Sequence, residues 1–374
     1  MGRHEWRRLG GRVASAALGA AVLAAGGGAR AEDALAQVRS TVAAATASSA
    51  PWTGPTSGPK AVAGRTIVYV AGDLRNGGIQ GVADGVKEAG ARIGWTVRVL
   101  DGQGSVSGIQ SAFGQAVALR PDGIVVGGYD AVQNAASLAQ AAAAGIRLVA
   151  WHGGPTPGPM EAEHLAYTVT SDNLKVAEGA ADYAIAQSGG HAAAVVFADS
   201  AYAMAILKGH VMADTIAKVA GCAVLAFEDT PLADTSTRMG QLTTSLLQRF
   251  GAKWTYTLAI NDLYYDFMGP PLISAGREGD RPPVNISAGD GSRSAFERIR
   301  ARQFQAATVP EPLLLHGWQV VDELNRAFAG APPSGYVTPV HLVTAENVDA
   351  DGGKQDVYDP QNGYRDAYAK IWGR

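Results

Sequence analysis

Residues Thr66 to Gly104 read TIVYVAGDLRNGGIQGVADGVKEAGARIGWTVRVLDGQG, and this stretch decides the fold. Thr66–Ala71 is a β-branched and apolar run, suited to a strand buried on both faces. Asp73, Leu74, Arg75, Asn76, Gly77 and Gly78 follow at once, and such a polar, glycine-rich cluster marks a loop. Ile79, Val82, Ala83, Val86, Ala89 and Ile93 then recur at helical spacing, with Asp84, Lys87, Glu88 and Arg92 between them. Gly94 ends that helix, and Trp95–Leu100 is the next strand. The unit is strand, loop, helix, strand. In open parallel sheets ligands bind at the carboxyl ends of strands, so Asp73, Arg75 and Asn76 are expected at one half of a binding site. The competing reading is a solvated loop with a helix cap.

Downstream, strand and helix patterns keep alternating. Helices are expected near Ser107–Leu119 and Ala131–Ala144, and strands at Gly123–Val126 and Ile146–Ala150. Polar or aromatic residues stand just past strands: Asp101, Tyr129-Asp130 and Trp151-His152. After a Pro/Gly loop and the extended run Tyr167–Asp172, a second series begins with a helix at Asn173–Gln187. Its strands are expected at Ala193–Ala198, Cys222–Phe227, Trp254–Ile260, Val284–Ser287 and Phe304–Thr308, with helices between them. A long helix, Leu313–Phe328, and a last strand, Tyr336–Val343, follow, and Asp349–Arg374 reads as a polar, irregular tail. Regular alternation of this kind implies α/β architecture with doubly wound parallel sheets. Two such lobes face to face make a cleft lined by carboxyl-end loops.

The N-terminus has a different character. Arg3, Arg7, Arg8 and Arg12 precede the short apolar run Val13–Ala25 and an Ala29-Arg30-Ala31 site. These features read as a secretory signal peptide over residues 1–31, cleaved after Ala31. Residues 32–64 are expected to be a linker, because Ser48–Lys60 is rich in Pro, Gly and Ser.

Composition narrows the function classes. Of 374 residues, 47% are apolar and 17% charged, which excludes a disordered chain. A net charge of -3 provides no basic footprint for nucleic acid. The single cysteine, Cys222, excludes an intramolecular disulfide. No G-x-S-x-G elbow, phosphate loop or metal-spaced histidine pair occurs, so no catalytic residue, metal site or cofactor is assigned. Carboxylates and amides at strand ends with aromatic rings nearby suit a hydroxyl-rich ligand instead. Asp172, Asp199 and Asp262 also fit helix caps, since each precedes a helix.

The chain resembles the periplasmic sugar-binding proteins of the ribose/galactose-binding group, which serve ABC importers. The resemblance runs from about Arg65 to Val348. It is carried by Asp84-Gly85, Val99-Leu100-Asp101, Pro121-Asp122-Gly123-Ile124, Ser171-Asp172-Asn173, Asn261-Asp262 and Gly289-Asp290-Gly291, in that order. It implies a type I periplasmic binding protein: two lobes, three crossing segments near Ser171, Glu311 and Tyr336, and closure around one small ligand. The implied lobes are residues 65–170 plus 312–336 and residues 171–311 plus 337–348, with a tail at 349–374.

Position by position, the resemblance implies ligand contacts at Asn76, His152, Asn261, Asp290 and Glu311. Asp73, Arg75, Trp151, Tyr202 and Asp262 complete the expected site. The chain departs from the family pattern where Gly78 and Ile79 replace aromatics, where Ile206 replaces an arginine, and at Thr235. Trp151, Tyr202, Tyr264 and Trp318 are the candidate replacement rings. The implied ligand is a sugar, a polyol or another small polar molecule, and the acids Asp73, Asp290 and Glu311 leave room for a cationic one. The implied role is the monomeric binding component of an ABC importer, with a permease in the inner membrane as partner. A feeder of a periplasmic sensor and an exported α/β enzyme are the other readings. The expected outcome of export is a mature protein beginning at Glu32. Intact mass measurement on the periplasmic fraction checks this, and retention of residues 1–31 there would exclude it.

Overall fold

Six residues, Thr66–Ala71, form the interior strand β1 of the first lobe, and all but Thr66 are fully shielded from solvent. Helices cover both faces of the sheet around it, so every side chain of the strand must be tolerated in a core. The computed structural model describes residues 32–47, 51–279 and 281–374. The expected signal peptide lies outside the described residues.

The first lobe begins after a helix, α1, over residues 32–45. It comprises β1, α2 (Gly77–Arg92), β2 (Thr96–Asp101), α3 (Val106–Ala118), β3 (Gly123–Gly127), α4 (Ala135–Ala143), β4 (Arg147–Trp151), β5 (Gly158–Met160) and β6 (Leu165–Val169). The second lobe carries α5 (Asn173–Gln187), β7 (Ala193–Ala198), α6 (Ala203–Ala217), β8 (Ala223–Asp229), α7 (Thr235–Phe250), β9 (Tyr256–Ala259), α8 (Gly269–Ser274), β10 (Val284–Ser287), α9 (Arg293–Arg300) and β11 (Ala307–Thr308). The chain ends in α10 (Leu313–Ala329), β12 (Val343–Thr344), α11 (Val348–Gly352) and α12 (Tyr364–Trp372).

Each lobe holds one six-stranded sheet, in the orders β2-β1-β3-β4-β6-β5 and β12-β11-β10-β9-β7-β8. All neighbouring pairs are parallel except β5 with β6 and β11 with β12. The two α/β lobes are as expected, each sheet being parallel but for a short antiparallel strand that closes one edge. The chain passes between the lobes after β6, after β11 and after α10.

α10 returns to the first lobe and packs against α2. Two glycines set how closely they approach. A Cβ on Gly85 would lie 2.5 Å from the Leu314 carbonyl oxygen, and one on Gly317 would meet the Gly85 backbone at the same distance. Any side chain at either site would push the two helices apart.

Three expectations for the terminal parts of the chain are corrected. Within residues 32–64, where a short helix at Asp33–Val42 and a linker after it were expected, α1 is longer and packs Leu35, Val38, Val42 and Ala45 onto the core of the second lobe. Trp52 packs into the first lobe, 5.0 Å from the Tyr336 ring and 5.4 Å from that of Tyr368. In the tail, α12 buries Tyr364, Tyr368, Ile371 and Trp372 in the first lobe's core. These four recur at helical spacing, but charged and polar residues around them lower the local hydropathy and mask the stripe. Tyr336–Val343 is not a strand: only Val343–Thr344 pairs in the sheet. Pro332, Pro333 and Pro339 have no N–H to give a ladder.

The tail should therefore be part of the fold's stability. Trp372 is 1% exposed, stacks on Trp318 at 5.4 Å and 10°, and donates its indole N–H to Asp322 at 2.8 Å. Trp372→Ala is expected to cost about 3–5 kcal/mol, the range for a buried large aromatic, and more if Asp322 is left unpaired. Urea unfolding of the variant checks this, and a loss below about 1 kcal/mol would mean that the tail is not part of the cooperative core.

Candidate functional site: the cleft between the lobes

The carboxyl ends of the parallel strands of both sheets face each other across a cleft of about 850 Å³, its open mouth included. The first lobe lines it with Asp73 and Asn76 after β1, Gly128 and Asp130 after β3, and Trp151 and His152 at the end of β4. The second lobe contributes Tyr202, Met204 and Lys208 around the start of α6, Leu232 after β8, Asn261 after β9 and Asp290 after β10.

Asn76 is the N-cap of α2. Its Oδ1 accepts from the Gly78 and Ile79 amides at 2.8 and 3.4 Å, so its side-chain NH2 is the group left for a ligand. Asp73 borders the cleft but is engaged by Arg75 in a two-point pair, at 2.9 Å from Nε and 2.7 Å from Nη2. The Arg75 side chain is 67% exposed and lies outside the main cavity, in a smaller pocket that it shares with Asn76, Asn261 and Asp290. Asp130 accepts from the Val132 and Gln133 amides, which leaves its second oxygen facing outward from the turn.

The floor of the first lobe is a ring pair. The Trp151 and His152 rings stack at 3.8 Å and 15°, with His152 in the left-handed backbone region at φ +55°. Behind them sits Glu311, wholly buried in the second crossing segment. His152 Nε2 lies 2.9 Å from Glu311 Oε2, and His316 Nδ1 lies 3.2 Å from the same oxygen. Trp151 Nε1 lies 3.1 Å from His316 Nδ1, and His316 Nε2 lies 2.9 Å from Thr338 Oγ1, itself 3.0 Å from Ser171 Oγ. Burial pushes the Glu311 carboxyl up, but the two imidazoles outweigh it and hold the group well below the usual value of 4.5.

On the opposite wall, Asn261 Nδ2 donates to Asp290 Oδ2 at 2.7 Å while its Oδ1 accepts from the Leu263 amide. Burial raises the Asp290 carboxyl from its ordinary value, opposed by the nearby charges of Lys208 and His152. Asp290 also reaches across the cleft. A Cβ on Gly78 would lie 2.4 Å from Asp290 Oδ2, so the absence of a side chain at Gly78 lets the lobes meet there.

Some expected contacts fall elsewhere. Asp262 is wholly buried: Oδ2 accepts from the Gly291 and Ser292 amides, and Oδ1 accepts from Gln305 Nε2 at 2.7 Å. It shapes the loop that presents Asp290 and touches no part of the cleft. Glu311 likewise acts from behind His152, and Arg75 acts through Asp73. Among the proposed rings, Trp151 and Tyr202 line the cleft. Tyr264 is buried in the second lobe, donating to the Thr230 carbonyl, and Trp318 is buried in the first. Sequence reasoning missed Lys208 as a cleft residue. Its signal was there: it shares the buried stripe of α6 with Ala205, Gly209, Met212 and Ile216, an improbable place for an ammonium group without a task. Among the described residues no group of three or more His, Cys, Asp and Glu side chains is placed to hold a metal ion.

The ionised Glu311 has a consequence for acid stability. Its folded-state pKa is depressed, so its contribution is fully present above the unfolded value near 4.5 and fades as pH falls below that. Glu311→Gln is expected to reduce stability at pH 7, and the deficit relative to the native chain should shrink below about pH 4. Thermal unfolding across that range checks it. A deficit that is constant with pH would show that the carboxylate charge is not what matters.

The comparisons agree with this architecture. A family model described as a periplasmic binding protein domain matches residues 67–332. No curated protein is significantly similar in sequence. Among solved structures, an ABC transporter solute-binding protein from Agrobacterium vitis with bound α-D-tagatopyranose is 17% identical, with a TM-score of 0.68 over 79% of this chain and 99% of its own. A solute-binding protein from Mycobacterium smegmatis with bound glycerol gives the same identity, TM-score and coverage. Another from Agrobacterium vitis, with bound allitol, is 17% identical, with a TM-score of 0.65 over 77% of this chain and 97% of its own. With two lobes, strand ends facing one cleft and a family match over most of its length, the chain belongs to the periplasmic binding protein domain family.

Proposed function

We propose that this protein is the solute-binding component of an ABC importer. It captures one small polar molecule of the sugar or polyol class between its lobes and delivers it to a permease in the inner membrane. One observation carries the reading: hydrogen-bonding side chains from the strand ends of both lobes converge on one cleft beside the stacked Trp151–His152 pair. Amides and carboxylates suit vicinal hydroxyls, and an aromatic wall suits the apolar face of a sugar ring. The family match and the sugars and polyols bound by similar structures support it. The ligand contacts proposed are Asn76, Trp151, His152, Tyr202, Asn261 and Asp290, with Asp73 at the rim. Export follows from the Ala29-Arg30-Ala31 site, with the mature chain acting as a monomer in the periplasm. No helix among the described residues is long and apolar enough to cross a membrane. The binding is without turnover.

Native mass spectrometry of protein purified from its own host should show one retained ligand per chain, recovered chemically unchanged. Adding that ligand should reduce the radius of gyration in solution as the lobes close. A ligand recovered as a reaction product would favour an enzyme. Unchanged scattering at saturation would exclude the hinge mechanism.

A further inference from the structure

Beyond the three crossings, the chain passes between the lobes again near its end. α11 packs on α9 of the second lobe, with Val348 buried beside Phe296 and Ile299. α12 lies in the core of the first lobe, and residues 353–363 join the two helices. The change of lobe falls between two neighbours in sequence. Tyr358 belongs to the second lobe: it packs with Phe296, Ile299, Val343 and Val348, and its ring stacks on that of His341 at 4.6 Å and 10°. His341 is held in turn, its Nε2 2.8 Å from Asp351 Oδ2. Asp359 belongs to the first lobe: it accepts from the Tyr364 hydroxyl at 2.9 Å and from Arg365 Nη1 at 2.8 Å. Arg365 reaches on to Glu88 of α2, with Nε 2.6 Å from Oε1.

Opening a cleft turns one lobe against the other, and every segment that joins them must absorb the turn in its φ and ψ angles. A joining segment with spare length does so freely. This one has none, because its two anchors are adjacent residues, whose Cα atoms are about 3.8 Å apart. Pro360 follows, with its own φ locked by the ring and the conformation of Asp359 restricted by it. Lobes that separate here must pull Tyr358 off His341, or Asp359 off Tyr364 and Arg365. We propose that residues 358–365 are a tether that limits how far the lobes open, so that the open state stays near the closed one. A protein held near its closed form needs a smaller rearrangement to close on its ligand, and its apparent affinity rises with the population of the closed form. The inference rests on the hinge motion of the solute-binding reading and sets the amplitude of that motion.

The test lengthens the passage and keeps both anchors. Six glycine and serine residues are inserted between Tyr358 and Asp359. Distances are measured by electron spin resonance between nitroxides at Ser107→Cys and Ser236→Cys, exposed positions on α3 and α7 of opposite lobes, with Cys222→Ser removing the native thiol. Both samples are dialysed until native mass spectrometry shows no retained ligand. Six flexible residues add a root-mean-square span of about 13 Å, so the lengthened chain should show a broader distribution with a mean longer by about 5 Å or more. Its melting temperature should stay within about 4 °C of the parent, since extending a loop costs little. An unchanged distribution would overturn the proposal and leave the solute-binding reading standing, because closure on ligand addition is measured separately by scattering. If the insertion unseats α12 and the melting temperature falls further, Asp359→Ala decides instead. It releases one anchor at unchanged chain length and should lengthen the mean distance in the same direction, and no lengthening would overturn the proposal.

Discussion

The buried carboxylate of Glu311 is the contact on which the rest of the molecule depends. Taking an ionised group out of water is costly unless several partners replace the lost hydration. Here the replacement comes from His152 at the end of β4 and His316 in the first turn of α10. The chain of contacts continues through Thr338 to Ser171. Glu311, Thr338 and Ser171 lie in the three segments that pass between the lobes, and His152 lies on the cleft floor. One polar network thus ties the crossings to each other and to the ring pair beside the ligand space.

The same accounting separates the acidic residues that build the walls of the cleft from those that border it. Asp262 is spent on holding the Gly291–Ser292 turn, and Asp73 on Arg75. What lines the cleft is the amides of Asn76 and Asn261, the carboxylates of Asp73, Asp130 and Asp290, the rings of Trp151, His152 and Tyr202, and the Lys208 ammonium, whose charge acts on Asp290. Gly78 contributes by lacking a side chain, since Asp290 occupies the space that a Cβ would take. The site is therefore defined as much by which charges are neutralised as by which residues are present.

Segments outside the family match are integrated into both lobes. α1 lies on the second lobe, and Ala45 accepts from the Leu342 amide just before β12. Trp52 and α12 lie on the first lobe, around Trp318 and Tyr336. The match ends at residue 332, yet Tyr364, Tyr368 and Trp372 are as deeply buried as any residue within it. α1 thus adds to the second lobe's core, and Trp52 and α12 to that of the first.

The amino-acid sequence by itself determined the alternation of strands and helices, because each element carries its own period. Asn173–Gln187, Ala193–Ala198 and Val284–Ser287 fall where the pattern alone puts them. It also placed Asn76, His152, Asn261 and Asp290 at strand ends, and the resemblance marked the same positions. It did not reveal α12 as core, since four apolar residues among charges make a stripe only when a partner surface exists. It could not separate Asp262 from Asp290, two aspartates that each follow a strand. One turns inward to three backbone and side-chain donors, and the other turns into the cleft. Only the tertiary structure decided that, as it decided that the Lys208 ammonium and the Asp290 carboxylate line the same cleft. Hydrogen-bond partners and ion pairs here join residues far apart in the chain, and no local pattern records which of them will meet.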